Sequence, residues 1–270
     1  MDFYTNVVQW GNFLLVRGVY NKQRVNFRLK YKPTLFVPVM KQTDWKTLDG
    51  KSVTPYQFDC IKDAKDFLLK YESQPHLVHG LNRFAYTYIS DTFPQKVNWN
   101  IDKILIMTID IEVQCENGFP NPESAIEPLL SITVKNQQSK KIIVWGIQPY
   151  KNTRDDVTYI RCPNEHDLIL EFMSFWTKNY PDVVTGWNTD FFDIPYLANR
   201  INQVCGESKM KELSPWGNVS SRKIYSMGRN HLMYDIMGVS QYDYLQLYQK
   251  FTYTRQESYK LDYIASVELG

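Results

Sequence analysis

Cysteine and histidine are scarce in this 270-residue chain: Cys60, Cys115, Cys162 and Cys205 lie far apart, and His76, His79, His166 and His231 show no metal-like spacing. A zinc cluster and a disulfide framework are both disfavoured by that pattern. No apolar run approaches the roughly 20 residues needed to span a bilayer. The start, Met1-Asp2-Phe3-Tyr4-Thr5-Asn6, lacks a basic stretch followed by an apolar one. A soluble, cytoplasmic protein with no membrane partner is expected. A phosphate-cradling glycine loop is missing as well, which argues against an ATP-driven enzyme.

What is present is apolar and aromatic, 43% and 15% of the residues, enough to bury a core in one or two domains and to exclude a disordered or collagen-like chain. The net charge of +2 hides an asymmetry. Residues 1 to 100 hold 14 Lys or Arg against 8 Asp or Glu, and the remaining 170 residues hold 17 against 21. No acid occurs between Phe3 and Thr43, where Arg17, Lys22, Arg24, Arg28, Lys30, Lys32 and Lys41 all fall. A basic front and an acidic rear suggest a polyanion meeting a metal-binding site.

Phe13 to Tyr20 and Gln23 to Tyr31 read as a hairpin closed by Asn21-Lys22. In its second strand Val25, Phe27, Leu29 and Tyr31 alternate with Arg24, Asn26, Arg28, Lys30 and Lys32, so one face is a cationic stripe. The stripe is either a solvated sheet face or a phosphate-contacting one. Thr34 to Val39 predicts a strand and Ile61 to Tyr71 a short helix, which makes residues 1–102 a small β-rich α+β module. Residues 103–270 open with a buried strand, Ile104 to Ile109, followed by Leu129 to Val134 and Lys141 to Ile147 as an antiparallel meander. A helix follows from Glu165 to Tyr180, capped by Asn164, then a strand at Asp182 to Trp187 and a helix at Ile194 to Val204. A hairpin is expected at Arg222 to Met227 and Leu232 to Gly238, and helices at Ser240 to Phe251 and Ser258 to Leu269. This order is that of a ribonuclease-H-like α/β domain.

Asp110 and Glu112 stand two apart at the end of the first strand of this domain, on one face and roughly 7 Å apart. They either face solvent or share metal ions, because a lone buried carboxylate is very costly. Asp193 has two readings as well. It can cap the helix that Ile194-Pro195 begins, or it can meet ions held by Asp110 and Glu112. Asn188 is a turn residue or a substrate ligand. The four histidines are read as surface or loop residues, the tryptophans as core, and Asp155, Asp156 and Asp190 as solvated loop charges. Asp243 is either near the site or, early in an expected helix, compensates that helix's dipole, and the second reading is taken first.

Ile109-Asp110-Ile111-Glu112, then Thr185-Gly186-Trp187-Asn188 with Phe192-Asp193-Ile194-Pro195-Tyr196, resemble the first two proofreading-exonuclease motifs of family B DNA polymerases. Asp243 to Tyr248 and Ser258 to Ile264 are similar to the segment that follows in polymerases of large tailed bacteriophages, and Arg28 to Leu35 to their N-terminal module. The resemblance implies a ribonuclease-H-like 3′→5′ exonuclease that removes mismatched nucleotides with two divalent cations, Mg²⁺ or Mn²⁺. It implies that Asp110 bridges both ions, Glu112 holds the one that activates water, and Asp193 supports the other. Asn188 and Phe192 would position the terminal nucleotides of single-stranded or primer-template DNA, in the host cytoplasm for a phage protein.

The third motif of the family, a Tyr with an Asp four positions on, has no match, since Tyr259 and Asp262 are three apart. An N-terminal polymerase piece of low intrinsic activity is therefore expected, whether a truncated reading frame, a split gene product or a cut piece. Two alternatives stay open. One is a non-catalytic module that holds single-stranded DNA or RNA on Arg24, Arg28 and Lys30. The other is a subunit that docks a separately encoded palm, fingers and thumb.

Overall fold

A computed structural model describes the whole chain except Asn117, Met227 and the Arg229 side chain. Its residues form two compact units, Met1–Lys103 and Ile104–Gly270.

The first unit starts with a meander of β1 (Phe3–Trp10), β2 (Phe13–Tyr20) and β3 (Gln23–Lys30), antiparallel in that order. Tyr20 pairs with Gln23 across a two-residue loop. Asn21 and Lys22 both take positive φ, 48° and 64°, the conformation that a primed hairpin turn requires. β4 (Thr34–Pro38) and β5 (Val53–Gln57) form a second hairpin, and α1 (Ile61–Lys70) and α2 (Phe84–Thr92) complete the unit. Leu14, Val16, Leu35, Phe58, Ile61, Ala64 and Phe84 fill its core. β1, β5 and α2 were not anticipated; β5 is interrupted by Pro55, and the Phe84–Thr92 segment has weak helical periodicity.

The second unit is built on a six-stranded sheet. Its strands are β6 (Ile106–Val113), β7 (Leu129–Asn136), β8 (Ile142–Gly146), β9 (Val157–Arg161), β10 (Val183–Gly186) and β13 (Ser240–Asp243), in the spatial order β13-β10-β6-β7-β8-β9. β6, β7 and β8 form the expected antiparallel meander, while β10 and β13 run parallel to β6. The order β8-β7-β6-β10-β13 is the ribonuclease-H-like arrangement. β9 extends it as a strand parallel to β8. α3 (Glu165–Lys178) follows, with Asn164 Oδ1 accepting from Asp167 N at 3.0 Å as its cap. It buries Leu168, Ile169, Phe172 and Trp176 against the sheet, each of these side chains worth about 2 kcal/mol of transfer free energy. α4 (Asp193–Cys205), α5 (Glu207–Lys211), the hairpin β11 (Val219–Ser226) and β12 (Arg229–Ile236), α6 (Tyr244–Phe251) and α7 (Leu261–Leu269) complete the unit.

Several expectations are corrected. Ser240 to Asp243 is a strand and not the first turn of a helix, because parallel pairing with β10 supplies backbone partners that local propensity cannot anticipate. Met227, expected at the end of β11, lies outside the described residues. His231 is neither loop nor surface: it sits in β12, 8% exposed, with its ring 4.3 Å from Phe191. Trp145 and Trp176 are core, but Trp10, Trp45 and Trp99 are exposed. Helical periodicity spoke only for Trp176. All four cysteines are free, and no helix among the described residues is long and apolar enough to cross a membrane.

Candidate active site

Alternation along β6 sends Met107, Ile109 and Ile111 into the core and leaves Asp110 and Glu112 together on the opposite, exposed face. The Asp110 carboxyl is partly desolvated although the residue as a whole is exposed. That desolvation first, and the Glu112 charge second, hold its carboxyl above the usual carboxylate range.

The neighbouring strand brings in the third acid. β10 lies in parallel register with β6, Val184 beside Met107 and Thr185 beside Thr108. At Gly186 the approach becomes so close that a Cβ would sit 2.5 Å from the Ile109 carbonyl oxygen and would also meet the Thr189 methyl. Only glycine fits there. The chain then turns through Asn188, whose φ of 63° places it in the left-handed region, and enters α4.

Asp193 is the first residue of that helix and not its cap; Phe192 occupies the cap position without a side-chain bond. The Asp193 carboxylate meets its own backbone N–H and also reaches across to β6. It is 3% exposed, and its Oδ1 accepts the Ile111 N–H at 3.1 Å, between Asp110 and Glu112. Burial, and then the Asp110 charge, raise its carboxyl to about 7 against the pull of the Ile111 N–H. The structure therefore brings Asp193 to the strand that carries the other two acids. Among the described residues, however, no three His, Cys, Asp or Glu side chains form a ready-made metal cage. The acids meet in pairs, Glu112 acting on Asp110 and Asp110 on Asp193. As a donor set they are all oxygen, the kind hard divalent cations take.

A cleft of about 350 Å³ adjoins the turn, lined among others by Phe119, Glu123, Asn188, Phe191, Phe192 and His231. The Phe119 and Phe192 rings meet at 5.0 Å between centroids, tilted by 46°. One side of α4 holds the loop that brings Phe119 there. Tyr196 donates to the Glu127 carbonyl at 2.7 Å, Asn199 to Pro122 at 2.7 Å, and Arg200 to Ile126 at 2.7 Å. Arg200 is itself held by both oxygens of Glu165, each at 2.7 Å. Asn188 thus serves as the turn residue and also lines the cleft.

The family model for the DNA polymerase family B exonuclease domain matches residues 81–264. The chain belongs to that family. Two phage polymerases align over nearly all of its length. The DNA-directed DNA polymerase of Escherichia phage RB69 is 32% identical over 100% of this chain and 33% of its own length. That of Enterobacteria phage T4 is 30% identical over 99% of this chain and 32% of its own. The DNA polymerase delta catalytic subunit of Dictyostelium discoideum is 33% identical over 43% of this chain. The chain therefore spans about a third of the length of the phage relatives it matches.

Within this family B exonuclease domain, Asp110, Glu112, Asp193, Asn188 and Phe192 gather around the end of β6 and the turn after β10. Arg24, Arg28 and Lys30 belong to the other compact unit, exposed on the edge strand β3. There the Arg28 guanidinium lies 3.6 Å over the Phe13 ring and 5.3 Å from that of Trp10. Three features escaped the sequence reading. Phe119 sits in a loop without periodicity. Asp190 is not a solvated charge: burial, then the Asp243 charge, raise it to about 6, while Gln246 donates to it at 2.9 Å. Asp243 is 2% exposed and does cap α6 through Leu245 N at 2.9 Å, but it has longer-range partners too.

Proposed function

We propose that residues 103–270 act as the 3′→5′ proofreading exonuclease of a replicative family B DNA polymerase, hydrolysing the terminal nucleotide of single-stranded DNA, with residues 1–102 as its N-terminal module. One observation carries the reading. A carboxylate 82 positions downstream accepts the backbone N–H that lies between Asp110 and Glu112. This first-turn acid meets its own helix through its own N–H and also reaches the acidic strand, which capping a helix does not require.

Asp110, Glu112 and Asp193 would hold two divalent cations, Mg²⁺ or Mn²⁺, whose chemistry when bound is to lower the pKa of a water and to stabilise the leaving 3′ oxygen. The raised carboxyls fit this role, since shielded, mutually repelling acids are the groups that a cation most favours in ionised form. Phe192 and Phe119 offer ring faces on which terminal bases stack regardless of sequence, and Asn188 offers an amide at the same cleft. Such a protein works in the cytoplasm of the host cell. The test is Mn²⁺-dependent release of nucleotides from a 3′-labelled single strand by the 270-residue chain. Slow release that Asp110→Ala reduces to background is expected; robust release that survives the substitution would overturn the assignment.

A second reading rests on the first unit. The Arg28 guanidinium on Phe13 and Trp10, with Arg24 and Lys30 along the same strand, supports a face of β3 that holds single-stranded DNA or RNA through phosphate contact and stacking. Binding that weakens steeply with salt, ignores divalent metal and disappears in Arg28→Glu is the expected signature. Docking of a separate palm, fingers and thumb would appear as co-purification of that polypeptide.

A further inference from the structure

Asp243 ends β13, the strand parallel to β10 on the side away from β6. An acid at the start of α6 needs only to cap that helix, and Leu245 N–H to Asp243 Oδ1 at 2.9 Å accomplishes this. The same Oδ1 also accepts the Asn188 N–H at 2.9 Å, and Oδ2 accepts the Asp190 N–H at 3.3 Å. Both donors belong to the turn between β10 and α4, more than fifty positions earlier in the chain. A buried carboxylate with three N–H donors is a satisfied anion, and two of those donors have nothing to do with α6.

The turn it grips is the one that delivers Asp193. Asn188 holds a left-handed φ of 63°, unfavourable for any residue with a Cβ and sustained only where its surroundings over-determine it. Its carbonyl in turn accepts the N–H of Phe191 at 3.2 Å and of Phe192 at 3.0 Å. Phe192 is the cap position of α4, Asp193 is the next residue, and the Asp193 carboxylate accepts the Ile111 N–H. Hydrogen bonds thus link Asp243 to Asn188 and Asn188 to Phe192, the peptide bond carries the connection to Asp193, and a last hydrogen bond joins Asp193 to the Ile111 N–H of β6. Gln246, one turn into α6, secures the Asp190 carboxylate at 2.9 Å from the same side.

We propose that Asp243 is a positioning residue of the exonuclease site: it holds the β10–α4 turn in its left-handed form and so fixes Asn188 in the cleft and Asp193 against Ile111. The assignment rests on the exonuclease reading, and it concerns a residue that touches neither cation nor DNA.

Graded substitution separates positioning from capping. In Asp243→Ser the hydroxyl still caps α6 but is too short to reach Asn188 or Asp190. In Asp243→Asn the amide oxygen keeps the Asn188 and Leu245 bonds, and its NH₂ is set against the Asp190 N–H. Residue-resolved amide exchange by NMR on the full chain is the readout that needs no activity. We expect exchange at Asn188, Asp190 and Ile111 to accelerate at least tenfold in Asp243→Ser, with the amides of α6 close to wild type. In Asp243→Asn only Asp190 should accelerate. On a single strand with Mn²⁺, kcat for nucleotide release should fall at least tenfold in Asp243→Ser with KM nearly unchanged, and Asp243→Asn should recover most of it. Wild-type exchange at Asn188 and Ile111 in Asp243→Ser would show that the acid is only a cap. Faster exchange there with undiminished kcat would show that the turn does not serve the reaction. If the wild-type chain releases no nucleotide at all, the exonuclease reading fails, and the Ile111 amide still reports whether Asp243 keeps Asp193 in place.

Discussion

β3 and β6 are both eight-residue strands that each pair antiparallel with one neighbour, β2 and β7 respectively, and carry charges on one face. Their charges meet different fates. On β3, an edge strand, Arg24, Arg28 and Lys30 stand in solvent, and Arg28 adds a stacking contact with Phe13. Such charges cost little to keep and are screened by salt. On β6, which is paired on both sides by β7 and β10, the Glu112 charge acts on a partly desolvated Asp110, and Asp193 is delivered into the same field from α4. A solvated stripe of charge follows from the pattern of one strand, whereas a coupled acidic site needs a second segment to arrive.

The sharpest way to break the contrast is Asp110→Ala. Removing this acid should lower Mn²⁺-dependent nucleotide release by about 100-fold or more. It should not lower the unfolding midpoint in EDTA, because it relieves repulsion with Glu112 and Asp193. Paired rate and thermal-melting measurements check both halves. A large drop in melting temperature would mean that the acid is structural.

Next in size is Gly186→Ala, which forces a methyl toward the Ile109 carbonyl and Thr189. Overpacking of this kind costs about 2 kcal/mol, so the midpoint should fall by about 5 °C. The same methyl on a residue of β3 that faces solvent should change it little. Chemical denaturation of both variants decides.

A smaller effect concerns Asp190, which faces Asp243, Arg222, Asp235 and the Gln246 amide. Its carboxyl is raised from 3.8 to about 6, so the folded chain binds a proton that the unfolded chain releases over that interval. Stability is therefore highest below the lower value and falls as pH rises through the window. Asp190→Asn should flatten that part of the stability curve measured in EDTA; an unchanged slope would show that the shift is absent. Smallest of all, Arg28→Ala should weaken binding of a single strand modestly and reduce the salt slope by about 0.7, the share of one phosphate contact. Titration of a fluorescent oligonucleotide at several salt concentrations measures it.

Much of this was legible in the sequence for a physical reason. The alternation of β3, the Asn21-Lys22 turn, the apolar face of α3 with its Asn164 cap, and the common face of Asp110 and Glu112 are set by neighbours within a few positions. The two exonuclease motifs placed Asp193 in the same account by resemblance. Phe119, the burial of Asp190 and His231, and the strand at Ser240 to Asp243 were not legible. Each depends on a partner far along the chain: Phe192 for the first, Asp243 and Phe191 for the next two, and β10 for the last.

The chain's own order of residues thus determined which acids face together on β6, where α3 starts, and which strand is cationic, because side-chain periodicity is local. The tertiary structure alone decided that Asp193 reaches beyond its own helix to Ile111, and that Asp243 holds the turn which makes this possible. Hydrogen bonds across 82 and 55 positions leave no periodic trace; they form only when parallel strands lay those segments side by side.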